Sequence, residues 1–563
     1  MAARRSGLPV YPNGKIVPVI PRPHSLRLRR AARRHFGWKS LRAGQLTAMR
    51  AVMRRRDALV VLPTGHGKSA VYQIPTTVLS GPTLVISPLL ALQQDQLAAL
   101  TSRKDPRLHA VRVSSAQTPA QQAAALAEVR TGQARFLFIT PEQLSNPDRL
   151  AEVAALRPSL VAIDEAHCIS SWGHDFRPDY LQLGHLVRQL GRPPVVALTA
   201  TASPPVREDI IARLGLRDPV LVVAGLDRPN LTLSAVHCPT EEARWQRLRA
   251  VLDQVPEPGI VYVPTRRAAE ELAERLAAAG VRARAYHGGM AAGERTRRHE
   301  DFLADRVPVM VATSAFGMGI DKPNIRFVVH AALPDSPDSY LQEVGRAGRD
   351  GAPAQAVLLY RGEDIALQRY FTGGAPDAGE VERLAGALHA GPVNKTELGR
   401  QTRLGPRKLG QLLSLLEQVG AARADARGGW SAPLYAPLPP AAARLALAEA
   451  QRYQGVARSR TDMMRQLAET TTCRTQLLLA YFGEHLHRGC GHCDNCVAGT
   501  ARVPAARRAD GPFPVHSAVR HAEWGAGMVL RYEGDRMFVL FDDVGYKTLS
   551  VPVVQQQGLL APA

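Results

Sequence analysis

IDEAHCISSWGHDFRP, running from Ile163 to Pro178, is the stretch on which the reading of this chain turns. Its two adjacent carboxylates, Asp164 and Glu165, follow the apolar run Leu160-Val161-Ala162-Ile163, which has the continuous hydrophobicity of a parallel strand buried on both faces. The carboxylates therefore stand at a strand's C-terminal end, the edge at which open α/β sheets bind ligands. A carboxylate there can hold Mg²⁺ on a nucleotide while its neighbour orients a water. Asp-Glu alone is a common surface pair, but the continuation is rarer. Trp172, His174, Phe176 and Arg177 crowd into a short segment bounded by Gly and Pro. Aromatic faces and arginine are what a single strand of nucleic acid stacks on. The stretch predicts an ATP site joined to a polynucleotide sensor.

Upstream, ALVVLPTGHGKSAVYQIP reads as strand, glycine turn and helix. Gly65 and Gly67 allow backbone N–H groups to face phosphate oxygens, Lys68 adds a cation, and Ser69 supplies a hydroxyl for Mg²⁺. Leu62 stands where the strict phosphate-loop pattern has glycine. Before this loop an amphipathic basic helix from Ser25 leads into FGWKSLRAGQ, where Trp38 can cover a purine ring and Gln45 can read its edge. Three further apolar runs end in Ser87, Thr140, and the pair Thr199 and Thr201. Hydroxyls recurring at one sheet edge can bind phosphodiester oxygens without reading sequence, although each alone is equally a helix cap.

A second α/β unit follows the extended DRPNL, Asp227 to Leu231, with strands in GIVYVP, ARAYHG, VPVMVAT and FVVHAAL. TSAFGMGIDKP brings Gly317, Gly319 and Asp321 to a strand end. QEVGRAGRDG then predicts a helix carrying Gln342, Arg346 and Arg349, with the arginines at i and i+3 on one face. Facing the γ-phosphate from the opposite lobe, they would act as arginine fingers.

The chain has 563 residues and a net charge of +21, with a sequence pI near 10.2. This length implies several domains, and this charge favours a polyanionic partner over a plain metabolic enzyme. Arg, Ala, Gly and Pro are abundant, which also fits a GC-rich coding bias. No apolar run is long enough to span a bilayer and the basic N-terminus is not followed by a signal-peptide core. A cytoplasmic, nucleoid-associated monomer is expected. Cys473, Cys490, Cys493 and Cys496 form a C-x16-C-x2-C-x2-C pattern, which in a reducing compartment predicts a closed tetrahedral zinc site of structural type. His487 and His492 stand nearby as bystanders to those four thiolates.

LPTGHGKS, DEAHCISSWGHDFRP, LTATA, AFGMGIDKP and QEVGRAGRDG stand in one order and spacing, and with them the chain resembles the RecQ family of DNA helicases, within helicase superfamily 2. WGHDFRP after DEAH is the most diagnostic piece, and the cysteine segment resembles the family's zinc module. The resemblance implies two tandem RecA-like lobes and Mg²⁺- and ATP-driven 3′ to 5′ translocation on single-stranded DNA. It also implies unwinding of tailed duplexes in recombination and repair. Lys68 and Ser69 would hold phosphate and Mg²⁺, Asp164 would help hold Mg²⁺, and Glu165 would position the attacking water. Arg349 is the favoured finger. Trp38, Arg42, Gln45, Thr64, Gly65, Gly67, Gly319 and Asp321 would line the nucleotide, and Ser87, Thr140, Trp172, His174, Phe176, Arg177, Thr199 and Thr201 the DNA.

The expected organisation is an α/β chain with a flexible basic arm (1–24), lobe 1 (25–222), lobe 2 (223–375), a winged-helix-like domain (376–436), a zinc-binding domain (437–498), a linker (499–514) and a small SH3/Tudor-like barrel (515–563). The winged-helix-like part departs from the family's usual order, which places that domain after the zinc module. Arg403, Arg407 and Lys408 flank its third helix and can meet phosphates. The terminal segment resembles the C-terminal module of UvrD/PcrA-type helicases, which implies a protein partner such as RNA polymerase or a repair factor. Two rivals stand beside the helicase reading: a DNA-stimulated translocase that separates strands weakly, and a non-catalytic DNA- or protein-binding module.

Overall fold

The computed structural model describes residues 23–563 apart from 64, 89, 171–176, 224, 318–319, 321, 426–428, 485, 487, 502–510, 516 and 534. Thr64, Trp172, His174, Phe176, Gly319, Asp321, His487 and nearly all of the expected basic arm thus lie outside the described residues.

Lobe 1 is built on seven parallel strands: β1 (Ala58–Val61), β2 (Thr83–Ile86), β3 (Ala110–Val113), β4 (Phe136–Ile139), β5 (Leu160–Ile163), β6 (Val195–Thr199) and β7 (Val220–Val223), in the order β3-β4-β2-β5-β6-β1-β7. Alternate residues feed two separate cores. Leu59, Val61, Leu84 and Ile86 enter one, and Ala58, Val60 and Val85 the other. Burial on both faces is why these strands read as unbroken apolar runs. Register then fixes the functional edge. Ile86 pairs with both Ile139 and Ile163, so the residues that follow, Ser87, Thr140 and Asp164, emerge side by side.

Lobe 2 repeats the plan with β8 (Leu231–His237), β9 (Gly259–Tyr262), β10 (Ala283–Tyr286), β11 (Val309–Ala312), β12 (Phe327–His330) and β13 (Ala354–Tyr360), all parallel, in the order β10-β11-β9-β12-β13-β8. The sequence reading found β9 to β12 but not β8 and β13, nor β3 and β7 in lobe 1.

Helices Ala378–His389, Lys395–Thr402 and Pro406–Gln418 follow, with a three-stranded antiparallel sheet of β14 (Val393–Asn394), β15 (Arg423–Ala424) and β16 (Gly429–Ser431). This unit also touches lobe 1, where Gln182 Nε2 donates to Glu417 Oε1 at 3.4 Å. A 31-residue helix, Pro439–Glu469, comes next. At 1.5 Å per residue it is roughly 46 Å long. Ala442, Ala443 and Ala446 near its start belong to the core of the three-helix unit, whereas Met464, Leu467 and Ala468 near its end belong to the core of lobe 2.

The last segment is a five-stranded antiparallel sheet of β17 (Ala518–His521), β18 (Gly525–Glu533), β19 (Arg536–Phe541), β20 (Gly545–Ser550) and β21 (Leu560–Pro562), ordered β20-β19-β18-β17-β21. Its turn before β20 is seated on the long helix. Gly455 lies against the Asp543 carbonyl, and Gly545, at φ +73°, against Ser459 and Val456. Tyr546 reaches further, with its ring 5.1 Å from that of Tyr481 and its hydroxyl 3.4 Å from Ser203 Oγ of lobe 1. Tyr481 in turn donates to Asp338 of lobe 2. Among the described residues no helix is long and apolar enough to cross a membrane.

Gly545→Ala adds a methyl group where Ser459 already stands and forces an L side chain to positive φ. Gly558→Ala, at φ +60° with open space around it, carries only the backbone cost. Thermal unfolding is expected to show Gly545→Ala destabilised by about 1–3 kcal/mol and to a greater extent than Gly558→Ala.

Candidate active site

β1 delivers the chain into LPTGHGKS, where Gly65 (φ +80°) and Gly67 (φ +71°) take the left-handed backbone that glycine accepts without penalty. Gln45, on the helix Ala43–Met53, donates through Nε2 to the carbonyls of His66 and Gly67, both at 3.0 Å, while its Oε1 accepts from the Arg42 N–H at 3.0 Å. A Cβ at position 67 would come within 2.6 Å of that amide. Gln45 therefore props the loop from below with both ends of its amide. Trp38 is half-buried and stacks on Phe36 at 4.8 Å between ring centroids, with Arg103 over both rings. Arg42 is exposed beside them.

Lys68 faces the carboxylates at the end of β5. Burial pushes its ammonium below the ordinary value, Glu165 and Asp164 act against that, and Arg349 and Arg346 add to it. Burial likewise raises the Asp164 carboxyl, opposed by Lys68 and by two hydrogen bonds. These come from Gln96 Nε2 to Oδ2 at 3.1 Å and from the Glu165 N–H to Oδ1 at 3.0 Å. Glu165 occupies left-handed backbone at φ +48°, ψ +46°, a conformation that costs a non-glycine residue on the order of 1–3 kcal/mol and persists only where the surroundings impose it. Its carboxylate lies 3.4 Å from His167 Nδ1, which is 2.9 Å from Thr199 Oγ1.

The two arginines are not on a helix. The helix Pro337–Val344 carries Gln342 but ends with Gly345, and residues 345–350 form successive turns, with Gly348 at φ +60°. The paired glycines of GRAGRD break the helical period that the i, i+3 spacing suggested. DRPNL, which the sequence offers only as an extended link, is the frame of this turn. Arg228 Nη2 donates to the carbonyls of Ala347 and Gly348, and Asn230 Nδ2 to those of Gly348 and Ala352. Arg349 donates to the Ile320 carbonyl at 2.7 Å and lays its aliphatic stem over Gly65, where a Cβ would sit 3.1 Å from its Cδ. Arg346, 3% exposed, packs on Gly317, where a Cβ would lie 3.0 Å from Nη2.

The hydroxyl-bearing residues Ser87, Thr140, Thr199 and Thr201 share one edge and all four are buried. The Thr199 hydroxyl lies 2.9 Å from His167 Nδ1 and donates to the Thr201 carbonyl at 2.8 Å. The Ser87 and Thr201 hydroxyls have no hydrogen-bond partner among the described residues. Arg177 is half-buried, with its Nη1 on the Pro88 carbonyl at 3.3 Å.

The four cysteines converge with their sulfurs within 4.8 Å of one another. A tetrahedral zinc with bonds of about 2.3 Å needs sulfurs roughly 3.8 Å apart, and two of the pairs lie at 4.0 Å. Backbone N–H groups of Gln476 and Cys490 point at Cys473 Sγ, and those of His492 and Cys493 at Cys490 Sγ, the outer partners that stabilise thiolates. The donor set fits zinc with no position left for water. His492 turns its Nδ1 to the Cys490 carbonyl at 2.8 Å and stays outside the cluster. Asp494, held within the module by Arg474, joins it to lobe 2 by accepting from the Ala235 N–H on β8.

With this geometry in hand, comparison with known proteins is direct. Residues 42–210 match the DEAD/DEAH box helicase model, 243–351 the helicase conserved C-terminal domain and 442–497 the RecQ zinc-binding domain. The chain belongs to the RecQ family. It is 37% identical over 464 residues to the ATP-dependent DNA helicase RecQ of Pasteurella multocida, covering 82% of this chain and 61% of that one. It is 43% identical over 339 residues to that of Bacillus subtilis, covering 60% and 56%. The chain thus spans about three fifths of the length of these relatives. In fold, the helicase MrfA bound to DNA matches with a TM-score of 0.50 at 19% identity, over 75% of this chain and 61% of that one. The three matched stretches leave 1–41, 211–242, 352–441 and 498–563 of this RecQ-family chain outside them.

Because Cys473 and Cys493 are 2% and 0% exposed and lie in the core of lobe 2, loss of zinc should reach beyond the module. Metal analysis is expected to find one zinc per chain in the unaltered protein and none in Cys493→Ser. The variant should also lose roughly 3 kcal/mol or more of stability in thermal unfolding.

Proposed function

We propose that this chain is an ATP-dependent DNA helicase that moves 3′ to 5′ along single-stranded DNA and opens tailed duplexes. The observation that carries the reading is the seat of Arg349. The aliphatic stem of this lobe 2 arginine lies across Gly65 of the phosphate loop of lobe 1, which brings its charge near Lys68, itself flanked by Asp164 and Glu165. Closure of the lobes on ATP then completes the site, and opening after hydrolysis moves the grip on the strand.

In this reading Lys68 and the amides around Gly65 and Gly67 hold the phosphates. Ser69 and Asp164 would hold Mg²⁺, which when bound neutralises charge on the β- and γ-phosphates. Glu165 orients the attacking water, with its own backbone strain fixing the carboxylate's direction. Arg349 is the finger and Arg346 its neighbour. Trp38 and Arg42 flank the base and Gln45 stiffens the loop; Gly319 and Asp321 approach from lobe 2. The strand runs over Ser87, Thr140, Thr201 and Arg177, with Trp172, His174 and Phe176 as stacking partners. Thr199 ties this edge to His167.

Residues 376–436 are assigned to a winged-helix-like domain, 437–498 to the zinc-binding domain and 515–563 to an SH3/Tudor-like barrel with a protein partner. The contact of Gln182 with Glu417 favours a second reading, in which the relocated domain leaves a translocase that separates strands weakly.

The deciding experiment compares unwinding of 3′-tailed and 5′-tailed duplexes. Only the 3′-tailed duplex should open, and Glu165→Gln should abolish this. DNA-stimulated hydrolysis without strand separation would select the translocase instead. Arg349→Ala should lower the rate constant of hydrolysis about 10³-fold while a fluorescent ATP analogue still binds.

A further inference from the structure

Gln96 belongs to none of the chemistry-bearing motifs, yet its amide touches two of the elements that form the nucleotide site. It lies on the helix Leu90–Thr101 that follows β2. Its Nε2 donates to Asp164 Oδ2 at 3.1 Å and its Oε1 accepts from the Tyr72 hydroxyl at 2.6 Å. Tyr72 is fully buried one turn beyond Ser69, with its N–H on the Ser69 carbonyl at 3.2 Å. Burial holds the Tyr72 hydroxyl far above its ordinary pKa, so it remains a donor. A carboxylate on one side that can only accept and a phenol on the other that donates leave the Gln96 amide a single orientation.

The same helix reaches the opposite way, toward the expected DNA edge. Gln93, three residues earlier on the same face, is buried and donates to the Ser87 carbonyl at 2.9 Å. The next carbonyl, that of Pro88, accepts from Arg177, the residue that closes the aromatic segment. An unbroken chain of contacts thus runs from Arg177 through Pro88 and this helix to Gln96 and the Asp164 carboxylate.

We propose that Gln96 is the positioning residue that transmits strand occupancy at the Ser87–Arg177 edge to Asp164, and so to Mg²⁺-nucleotide. This rests on the helicase reading given above. A shift of the helix when a strand is seated moves the donor on Asp164 Oδ2, and Tyr72 keeps the amide from rotating to escape that movement. Tyr72 bonds Gln96, and Gln96 in turn bonds Asp164.

The test uses the full chain and a fluorescent non-hydrolysable ATP analogue, titrated with Mg²⁺ with and without a single-stranded oligonucleotide. In the unaltered protein, DNA is expected to shift the half-saturating Mg²⁺ concentration about three- to tenfold, the range the net contribution of one ordinary hydrogen bond supports. Gln96→Ala and Gln96→Met both remove the donor and should abolish the shift. Gln96→Met keeps the side chain's length without adding charge, so it decides the matter if the smaller variant folds poorly. Tyr72→Phe should shrink the shift, and adding it to Gln96→Ala should change nothing further, the non-additivity expected of residues acting in series. Variants that melt at lower temperature but keep the full shift show a merely structural role and overturn the proposal. If the unaltered chain hydrolyses ATP faster with DNA while every variant keeps the shift, Gln96 has no such role and the helicase reading stands. No response of the unaltered chain to DNA overturns both.

Discussion

A partly buried ammonium, Lys68, is held between two carboxylates of its own lobe and two guanidinium groups of the other. Three cations face two anions in a setting that penalises unbalanced charge. In the proposed site a triphosphate would neutralise that excess positive charge. Much else in the structure serves this balance. Parallel strands in register bring Asp164 to the edge, Gln45 fixes the loop that presents Lys68, and Arg228 and Asn230 hold the turn that presents Arg349.

The parts legible in the sequence are those whose physics is local. Glycines that must take positive φ, a lysine after them, and a carboxylate pair after a doubly buried strand are fixed by spacing along the chain, as is the four-cysteine pattern. The parts missed depend on who meets whom in space. β7 at the edge of lobe 1 is only partly buried, and β3 carries Arg112 within four residues. Neither has the apolar contrast that marks a central strand. The hydrogen bond from Gln96 to Asp164 joins residues 68 positions apart and has no signature in either neighbourhood. The arginine turn is different, since Gly345 and Gly348 stand in the sequence as helix breakers and outweigh the i, i+3 spacing of the arginines.

The zinc cluster sits within lobe 2 more than beside it. Cys473 and Cys493 share a core with β8, β9 and β12 side chains, and Asp494 accepts from the backbone of β8, the outermost strand of its sheet. An exposed strand edge invites pairing with other chains. The module covers part of this one, and the metal keeps its small loop rigid enough to do so.

The helix Pro439–Glu469 has consequences of its own. One end is rooted in lobe 2 and the other in the three-helix unit, so the two turn together like the ends of a lever arm. Over its length of roughly 46 Å, a rotation of about 10° at the lobe 2 end sweeps the far end through roughly 8 Å. The Gln182–Glu417 contact with lobe 1 cannot stretch by that amount. A rotation of that size between the lobes would break that contact and its reversal would remake it, so the outlying unit is placed to register the separation of the lobes.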